Sequence, residues 1–430
     1  MSIELKFKYA DTEMAVGLPR GASVRSMLPR PSGKIADWKD DLEKALDSPV
    51  GSGRLEDSVF PGESVAVLVP DVTRIWSRTW DYLPAVLERL RKAGIEDEDV
   101  RIINACGTHR RNRPEELELM LGREAYGKYR LSQNDPDGPM EYMGTTSLGT
   151  PVLLNAEAMA CDRLVMLGGV VHHAMAGYGG GRKMVLPGIS SRQTVKANHV
   201  WVLDPAKPGI RPGVGSALTK DNPLHHDMVE AASFARPTFI VNAATDAEGD
   251  FAGFYAGDWQ KAWEQGCGKV DDMYCVDMAG RADFVLASCG GFPRDISVYQ
   301  ASKAFYNAWM AAKPGAKLVL FMEARDGGGG EEFFSWFRYP TIEEFHRALL
   351  ADFTIAGYMA FLVYYIATVT DVTVVTGMEE ALLDQMHVKF IRPDEAASKI
   401  PGMVSPGDDV LYMPEAAITL PVDTTTQSVQ

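Results

Sequence analysis

The chain is poor in cysteine, in net positive charge and in long apolar stretches. It has five cysteines in 430 residues and no Cys-x-x-Cys pair, which argues against a disulfide framework or a zinc site and indicates a reducing compartment. The net charge of −15 argues against nucleic acid and acidic membrane surfaces as partners, because both would repel the protein. The remaining composition, 46% hydrophobic and 23% charged, is typical of a soluble enzyme.

Neither a membrane span nor a leader peptide is expected. The longest uncharged run, residues 353–370, has 18 residues but contains three tyrosines and three threonines, and strand-like "DVTVV" follows it. We interpret this run as a buried helix leading into a strand. The first residues, "MSIELKFKYADTEMAV", alternate as a strand does and lack the apolar core of a signal peptide. The sequence therefore predicts a cytoplasmic protein.

Six short apolar runs predict the fold class. Continuous apolar strands that alternate with helical patterns are typical of parallel sheets covered on both faces. The chain is too long for one ordinary core, so we expect two α/β domains with mostly parallel sheets, an N-terminal domain over residues 1–270 and a C-terminal domain over residues 271–430. Ser77 is expected to cap a helix that ends before Gly94. The runs are 64–70, 99–105, 162–168, 282–288, 316–322 and 371–377.

Polar side chains follow four of these strands. The loops read "DVTR" (71–74), "CGTHR" (106–110), "GVVHHAMAGYGGGRK" (169–183) and "CGGFPRDISVYQASK" (289–303). Ligands bind at the carboxyl ends of strands in open α/β sheets, so these loops are where a site is expected. The side chains predicted to converge are Asp71, Arg74, His109, His173, Lys183, Gln300 and Lys303.

The glycine-rich run before Lys183 has two interpretations. It fits neither GxxxxGK[ST] nor GxGxxG, so the nucleotide motifs fail, and by composition it is either a flexible turn or a cradle for a ligand. Lys183 is either a solvated surface lysine or, in its apolar setting, a desolvated nucleophile or attachment point. Arg74 and Lys303 are the natural carboxylate anchors.

The histidines divide by position. His172 and His173 point in opposite directions in an extended chain, so one of them is expected to face the loops. His109 follows a strand on a short loop, where proton transfer is plausible chemistry. His199 lies late in a helix and on its own reads as structural. Four others are assigned structural roles: His225, His226, His346 and His387.

Taken together, these loops resemble the nickel-pincer lactate racemase family. The resemblance extends from residue 71 to residue 303 and rests on "DVTR", "GTHR", "HAMAGYGGGRKMVLPG", His199 and "YQASK" in the family's order. Its most specific parts are the ten-residue step from His173 to Lys183 and the sixteen-residue step from Lys183 to His199.

The resemblance implies a cofactor. In this family it is nickel bound through two sulfurs and a ring carbon of pyridinium-3,5-bisthiocarboxylic acid mononucleotide, the nickel-pincer nucleotide. Lys183 resembles its thioamide tether and His199 the protein ligand to nickel, while Tyr178, Gly179, Gly180 and Gly181 would line the cofactor. Cofactor-synthesis and nickel-insertion proteins would then be transient partners, and neither nucleic acid nor membrane is implied.

The resemblance also implies a reaction, the racemisation or 2-epimerisation of a 2-hydroxy acid by reversible hydride transfer in the cleft between the domains. His109 and His173 resemble the acid/base pair, one for each face of the reacting carbon. The residues that resemble the substrate-binding set are Asp71, Arg74, Tyr299, Gln300 and Lys303.

The chain also departs from the family. Ile75 and Trp76 follow "DVTR" where lactate-specific members carry prolines, and Arg182 directly precedes the tether. These departures leave the identity of the 2-hydroxy acid open, because other members of the family act on larger or more polar 2-hydroxy acids, including sugar acids. Two other hypotheses are a metal-dependent hydrolase, which leaves Lys183 and the glycines without a role, and a non-catalytic protein that binds the cofactor or a hydroxy acid.

Overall fold

The structure is a computed structural model that describes residues 3–31, 35–405 and 407–425. The chain divides into two compact units. The central unit consists of the described residues of Ser32–Val202 and Pro212–Met273. The terminal unit consists of those of Met1–Pro31, Leu203–Arg211 and Tyr274–Gln430.

The described residues form twenty strands. In chain order they are β1 Ile3–Tyr9, β2 Thr12–Leu18, β3 Ser23–Ser26, β4 Val65–Val69, β5 Val100–Asn104, β6 Arg130–Gln133, β7 Met140–Thr145, β8 Pro151–Asn155, β9 Arg163–Gly169, β10 His172–His173, β11 Gly177–Tyr178, β12 Phe239–Thr245, β13 Phe251–Gly257, β14 Cys275–Met278, β15 Ala282–Ser288, β16 Ala312–Phe321, β17 Asp371–Val375, β18 Lys389–Ile391, β19 Asp409–Met413 and β20 Leu420–Asp423.

The α-helices of the same described residues number fourteen. They are α1 Trp38–Asp47, α2 Thr79–Lys92, α3 Pro114–Leu121, α4 Arg123–Lys128, α5 Ala156–Met159, α6 Arg192–His199, α7 Pro223–Phe234, α8 Lys261–Tyr274, α9 Val298–Met310, α10 Glu331–Ser335, α11 Ile342–Ala351, α12 Ile355–Val369, α13 Glu380–Gln385 and α14 Ala396–Lys399.

The central unit is built on a six-stranded sheet of order β13-β12-β9-β4-β5-β6. Every neighbouring pair is parallel except β12 with β13. All five residues of β4 are buried, as the continuous apolar run predicted, and Tyr82, Val86 and Leu90 of α2 belong to the core around it. The chain runs outward from β4 to β5 and β6, then returns to β9 on the other side. The order therefore reverses between β4 and β9, the kind of position where open α/β sheets bind ligands.

The terminal unit contains an all-parallel six-stranded sheet of order β18-β17-β16-β15-β19-β3. The first residues of the chain belong to this unit, whereas the sequence assigned them to a domain spanning residues 1–270. Two contacts explain the difference. Strand β3 pairs with β19, and Phe7 of the β1–β2 hairpin stacks on Phe321 with ring centroids 4.1 Å apart.

The apolar run near residue 360 is a helix followed by a strand, as predicted. Helix α12 is buried along most of its length, and β17 begins at Asp371. Among the residues that the structure describes, no helix is long and apolar enough to cross a membrane.

Candidate active site

The loop after β4 provides a buried carboxylate. Asp71 begins the 3-10 turn Val72–Ser77, and one of its oxygens accepts hydrogen bonds from the backbone N–H and hydroxyl of Thr73, at 2.9 and 2.5 Å. Its other oxygen lies 2.5 Å from Nδ1 of His109. Burial would raise the pKa of Asp71, but the hydrogen bond from His109 and the charges of His109 and Arg74 hold it below its ordinary value. The carboxylate is therefore ionised at neutral pH.

The contact with Asp71 fixes the orientation of His109. The imidazole Nδ1–H donates to the carboxylate, so in the neutral ring Nε2 carries the lone pair. A hydrogen bond from Arg110 to Glu116, with Nη–O distances of 2.6 and 2.7 Å, anchors the residue that follows His109. Arg74 is partly exposed and donates to the hydroxyl of Thr73 at 3.0 Å, so its guanidinium lies close to the loop that carries Asp71.

The two adjacent histidines point in different directions, as the alternation of an extended chain predicted. They form β10, which pairs with β11 in a short hairpin. Nε2 of His172 lies 2.8 Å from one carboxylate oxygen of Asp271, and the Tyr178 hydroxyl donates to the other at 2.7 Å. Nδ1 of His173 accepts the backbone N–H groups of Met175 and Ala176, both at 3.2 Å. Of the two, His173 faces the loop that carries the lysine.

Lys183 lies in the 3-10 turn Gly181–Met184, and its side chain is half-buried. Its Nζ is 2.8 Å from Nε2 of His173, which brings together the two residues that the ten-residue step singled out. The backbone N–H of Gly107 donates to the Gly188 carbonyl at 2.9 Å and so links this segment to the loop that carries His109.

The glycines before Lys183 allow the loop to pack tightly on its own unit. Gly180 and Gly181 have φ of +68° and +54°. A Cβ at Gly180 would lie 2.6 Å from Oδ1 of Asn242, and one at Gly181 would lie 2.6 Å from the ring of Trp263. Trp263 also donates its indole N–H to the Gly179 carbonyl at 2.8 Å. This packing accounts for glycine at these positions, and their contact with a cofactor stays a prediction.

Arg182 is a buried residue that stabilises the same glycine-rich loop through hydrogen bonds to its backbone. It is only 1% exposed, its guanidinium lies 4.0 Å from the ring centre of Trp263, and it donates to the carbonyls of Tyr178 (3.0 Å) and Ala176 (2.5 Å). Burial lowers its pKa to about 9. Arg182 therefore acts on the backbone that leads to Lys183, and does not point into solvent as a surface arginine would.

His199 ends α6, whose N-terminus Ser191 caps by accepting the N–H of Thr194. The ring is 1% exposed, and Nδ1 lies 3.1 Å from the Val195 carbonyl. Burial is the main cause that lowers the pKa of His199 to about 3, and a positive charge on Lys183, whenever that amine is protonated, acts in the same direction. The imidazole is therefore neutral, and donation from Nδ1 leaves the lone pair on Nε2, the form that binds metals.

The three remaining predicted residues lie in the terminal unit. Tyr299, Gln300 and Lys303 occupy the first two turns of α9, where spacings of three and four residues place them on one helix face. Ser297 caps this helix by accepting the Gln300 N–H at 3.3 Å, and the Tyr299 N–H donates to the Gly328 carbonyl at 3.1 Å.

Sequence reasoning missed three residues that shape the site. Asn242, fully buried in β12, accepts the Gly181 N–H at 3.1 Å, and one polar residue inside an apolar strand was the available signal. Trp263 and Asp271 both lie on α8, far along the chain from the loop that they contact. Nothing in the local sequence marks either of them, because their contacts exist only in the folded unit.

Comparison with known proteins places these loops in a family. The chain matches the lactate racemase N-terminal domain over residues 9–209 and the lactate racemase C-terminal domain over residues 278–415. It is 32% identical to a lactate racemase of Thermoanaerobacterium thermosaccharolyticum over 340 residues, which is 78% of each chain. The chain belongs to the lactate racemase family.

Other members and solved structures agree with this assignment. A lactate racemase of Lactiplantibacillus plantarum is 33% identical over 69% of this chain and 68% of that protein. The lactate racemase apoprotein structure from T. thermosaccharolyticum superposes with a TM-score of 0.86 and 26% identity, covering 98% of this chain and 100% of that one. A protein from Thermotoga maritima, with 17% identity over 92% of this chain and all of its own, shares the fold at a TM-score of 0.66.

Membership of the lactate racemase family makes the chain an isomerase of the racemase type. It is therefore neither the metal-dependent hydrolase nor the non-catalytic binding protein that the sequence left open. The mixed α/β fold with mostly parallel sheets, expected from the apolar runs, is confirmed by the sheets and by the match to the apoprotein.

Proposed function

We propose that this chain racemises or 2-epimerises a small 2-hydroxy acid, with a nickel-pincer nucleotide tethered to Lys183. The observation that carries the proposal is a pair of imidazoles in the central unit, each held through Nδ1. Nδ1 of His109 binds Asp71, and Nδ1 of His173 binds the turn that follows it. Each ring therefore offers Nε2 for proton transfer, and inversion at a carbon needs a proton-transfer group for each of its two faces.

His109 is prepared as a base. Its Nε2 carries the lone pair, and the ionised Asp71 stabilises the imidazolium that forms when Nε2 takes a hydroxyl proton. Nδ1 of His173 accepts two N–H groups, so in the neutral ring the proton is on Nε2, and its loss would leave an imidazolate. For His173 to give or take a proton at Nε2 during turnover, its Nδ1 must gain a proton and release these two 3.2 Å bonds.

The residues present fit the cofactor. Lys183 offers a primary amine for a thioamide, and His199 offers a neutral buried imidazole with its lone pair on Nε2. Imidazole is a suitable ligand for nickel in a square-planar site. When bound, the cofactor supplies the hydride acceptor and donor. The protein then provides orientation and the movement of the hydroxyl proton.

The substrate would be held by its carboxylate. Arg74 offers a planar guanidinium that donates to Thr73 in the loop that carries Asp71, and we assign Tyr299, Gln300 and Lys303 of the terminal unit to the same task. Trp76 lies against β9, where a Cβ at Gly169 would be 2.6 Å from its ring. Lactate is the first substrate to test, because both curated relatives are named lactate racemases. Larger 2-hydroxy acids, including sugar acids, are the next compounds to test.

The deciding experiment is intact and peptide mass spectrometry with nickel analysis on one sample. The protein would be purified from its native host or produced together with the cofactor-synthesis and nickel-insertion proteins. We expect a mass increment on the peptide that contains Lys183, one nickel per chain, and loss of optical purity in a 2-hydroxy acid. An unmodified Lys183 without nickel under these conditions would refute the proposal. Lys183→Arg is the matched control, since it keeps a long side chain that ends in nitrogen and removes the primary amine.

A further inference from the structure

We infer that His173 has a second task before any turnover: in the unloaded protein it holds the Lys183 amine uncharged and so prepares it as the nucleophile that attaches the cofactor. The inference rests on the proposed function and extends it to the loading step. It depends on where the protons lie in the contact between Nε2 of His173 and Nζ of Lys183, which are 2.8 Å apart.

The proton count begins at the other nitrogen of the ring. Nδ1 of His173 accepts the backbone N–H groups of Met175 and Ala176. Both partners are amide donors, so Nδ1 carries a lone pair and cannot carry a proton. A neutral imidazole then has its proton on Nε2, which is a donor.

The amine must accept that proton's hydrogen bond. A protonated lysine has three N–H donors and no lone pair, so it cannot accept from Nε2–H of His173. The uncharged amine can. The backbone of the turn therefore selects the imidazole tautomer, and the tautomer selects the form of Lys183. Only the uncharged amine has the electron pair that nucleophilic attack requires.

Ionisable groups near the turn lie on α6 and α7. His199 of α6 is close enough to Lys183 to interact with it electrostatically, and its imidazole is neutral. Helix α7 packs against the turn Gly181–Met184, and its ionisable side chains are engaged with other partners. His225 stacks on Trp263, His226 lies 2.7 Å from the Lys220 carbonyl, Asp227 accepts from Thr146, Thr150 and Asn198, and Glu230 accepts from Ser147.

The attachment step balances without an oxidant or a reductant. Lys183 Nζ donates its electron pair to the carbon of a thiocarboxyl group, –C(=O)SH. A C–N bond forms, and both bonds between that carbon and its oxygen break. The oxygen leaves as water with the thiol hydrogen and one amine hydrogen. The nitrogen retains one hydrogen, and the sulfur, singly bonded to carbon at the start, becomes double-bonded to it as a thioamide. A protonated amine would first have to lose a proton, which His173 makes unnecessary.

The test measures amine reactivity in the unloaded protein and does not depend on turnover. A limiting amount of acetic anhydride labels the folded protein at pH 7.5, and peptide mass spectrometry gives the acetylated fraction of each lysine. Lys39, an exposed lysine of the central unit, serves as the internal reference. An ordinary lysine has about 0.1% uncharged amine at this pH. We expect Lys183, although half-buried, to react at least about tenfold faster than Lys39.

The matched variants are His173→Asn and His172→Asn. An asparagine oxygen can still accept the N–H groups of the turn, but nothing remains to donate to Lys183, so we expect its labelling to fall at least about tenfold in His173→Asn. His172→Asn makes the same change in the neighbouring ring, which binds Asp271, and should leave the labelling within about twofold.

Two results would overturn the inference: wild-type Lys183 reacting more slowly than Lys39, or His173→Asn labelling like wild type. If His173→Asn does not fold, as judged by circular dichroism, the ratio of the labelling rates of Lys183 and Lys39 in the wild-type protein still tests the inference. The loading experiment separates this inference from the proposed function. A conjugate on a lysine of ordinary reactivity would refute only the preparation of the amine, and a reactive lysine that never gains cofactor or nickel would refute only the proposed function.

Discussion

Nδ1 of His109 lies 2.5 Å from a carboxylate oxygen of Asp71, and this contact joins the loops that follow two adjacent parallel strands. Because β4 and β5 end at the same edge of the sheet, the carboxylate and the imidazole meet without any long connection. The contact fixes both the orientation of the ring and the nitrogen that carries its proton.

Asp71→Asn should therefore lower kcat far more than it changes KM. The amide can donate to Nδ1 of His109, which would move the ring proton to Nε2 and remove the base. We expect kcat to fall by about 10² to 10⁴ in the loaded enzyme. Thr73→Val removes one hydrogen bond to the carboxylate but retains its charge, so it should cost less than about tenfold. Equal losses in the two variants would contradict this role of Asp71.

Glu116 should stabilise the His109 loop in a pH-dependent manner. Hydrogen bonds from Arg110, opposed by burial and supported by the Arg113 N–H, lower the pKa of Glu116 from its ordinary 4.5 to about 2. A depressed pKa gives stability that is fully present above 4.5 and is lost as the pH falls towards 2. In urea unfolding, Glu116→Gln should be less stable than wild type at pH 7, and the difference should shrink below about pH 4.5.

The neighbouring Glu115 provides the control for this measurement. Its side chain is 68% exposed and forms an ion pair with the exposed guanidinium of Arg113, at 3.2 Å. Glu115→Gln should change the free energy of unfolding by less than about 0.5 kcal/mol at any pH in this range. A difference for Glu116→Gln that stays constant down to pH 3 would argue against an ionised, hydrogen-bonded carboxylate.

Gly181→Ala should damage the loop that carries Lys183. The residue has φ of +54°, and its Cβ would lie 2.6 Å from the ring of Trp263. Backbone strain and steric overlap together should lower the free energy of unfolding by about 2–4 kcal/mol. Gly268→Ala, in α8 with no atom within 4 Å of the added Cβ, should raise it by up to about 1 kcal/mol. Thermal denaturation of both variants measures the contrast, and equal melting temperatures would refute it.

His199→Ala should separate the two attachments of the cofactor. The lysine tether does not depend on the imidazole, so the mass increment on the Lys183 peptide should persist. Nickel retained after dialysis should fall by about tenfold or more, because a ligand to the metal is gone. Nickel analysis and peptide mass spectrometry on one preparation give both quantities. Full nickel retention in His199→Ala would show that another group binds the metal.

Strands β4, β5 and β9 of the central unit were predictable because they are largely apolar runs, and the candidate site residues follow them closely. Asp71, His109 and His173 each come within a few residues of a buried strand, so the topology brings their loops together. The direction of the two adjacent histidines followed from strand alternation, although their partners did not. Asp271 lies almost a hundred residues from His172, and no periodicity connects them.

The local sequence also gave the wrong capping residue for helix α2. Ser77 was expected to cap α2, yet the helix begins at Thr79 after Arg78, whose φ is +50°. The Ser77 hydroxyl instead donates to the Arg74 carbonyl at 2.8 Å and stabilises the turn that follows Asp71. The one-residue shift of the helix cap, from Ser77 to Arg78, reflects competition between a helix cap and a loop for one hydroxyl group.

The parallel pairing of Ser23–Ser26 with Asp409–Tyr412 has a consequence for biosynthesis. One edge of the terminal sheet is synthesised among the first residues and its neighbour among the last. Until β19 leaves the ribosome, β3 lacks the strand with which it pairs, and the β1–β2 hairpin, a sheet of its own, lacks its stacking contact until Phe321 of β16 has been synthesised. The central unit lacks this constraint, since all of its strands are complete by Gly257. The nascent chain can therefore complete the sheet that carries Lys183 and both site histidines while the other sheet is still unfinished.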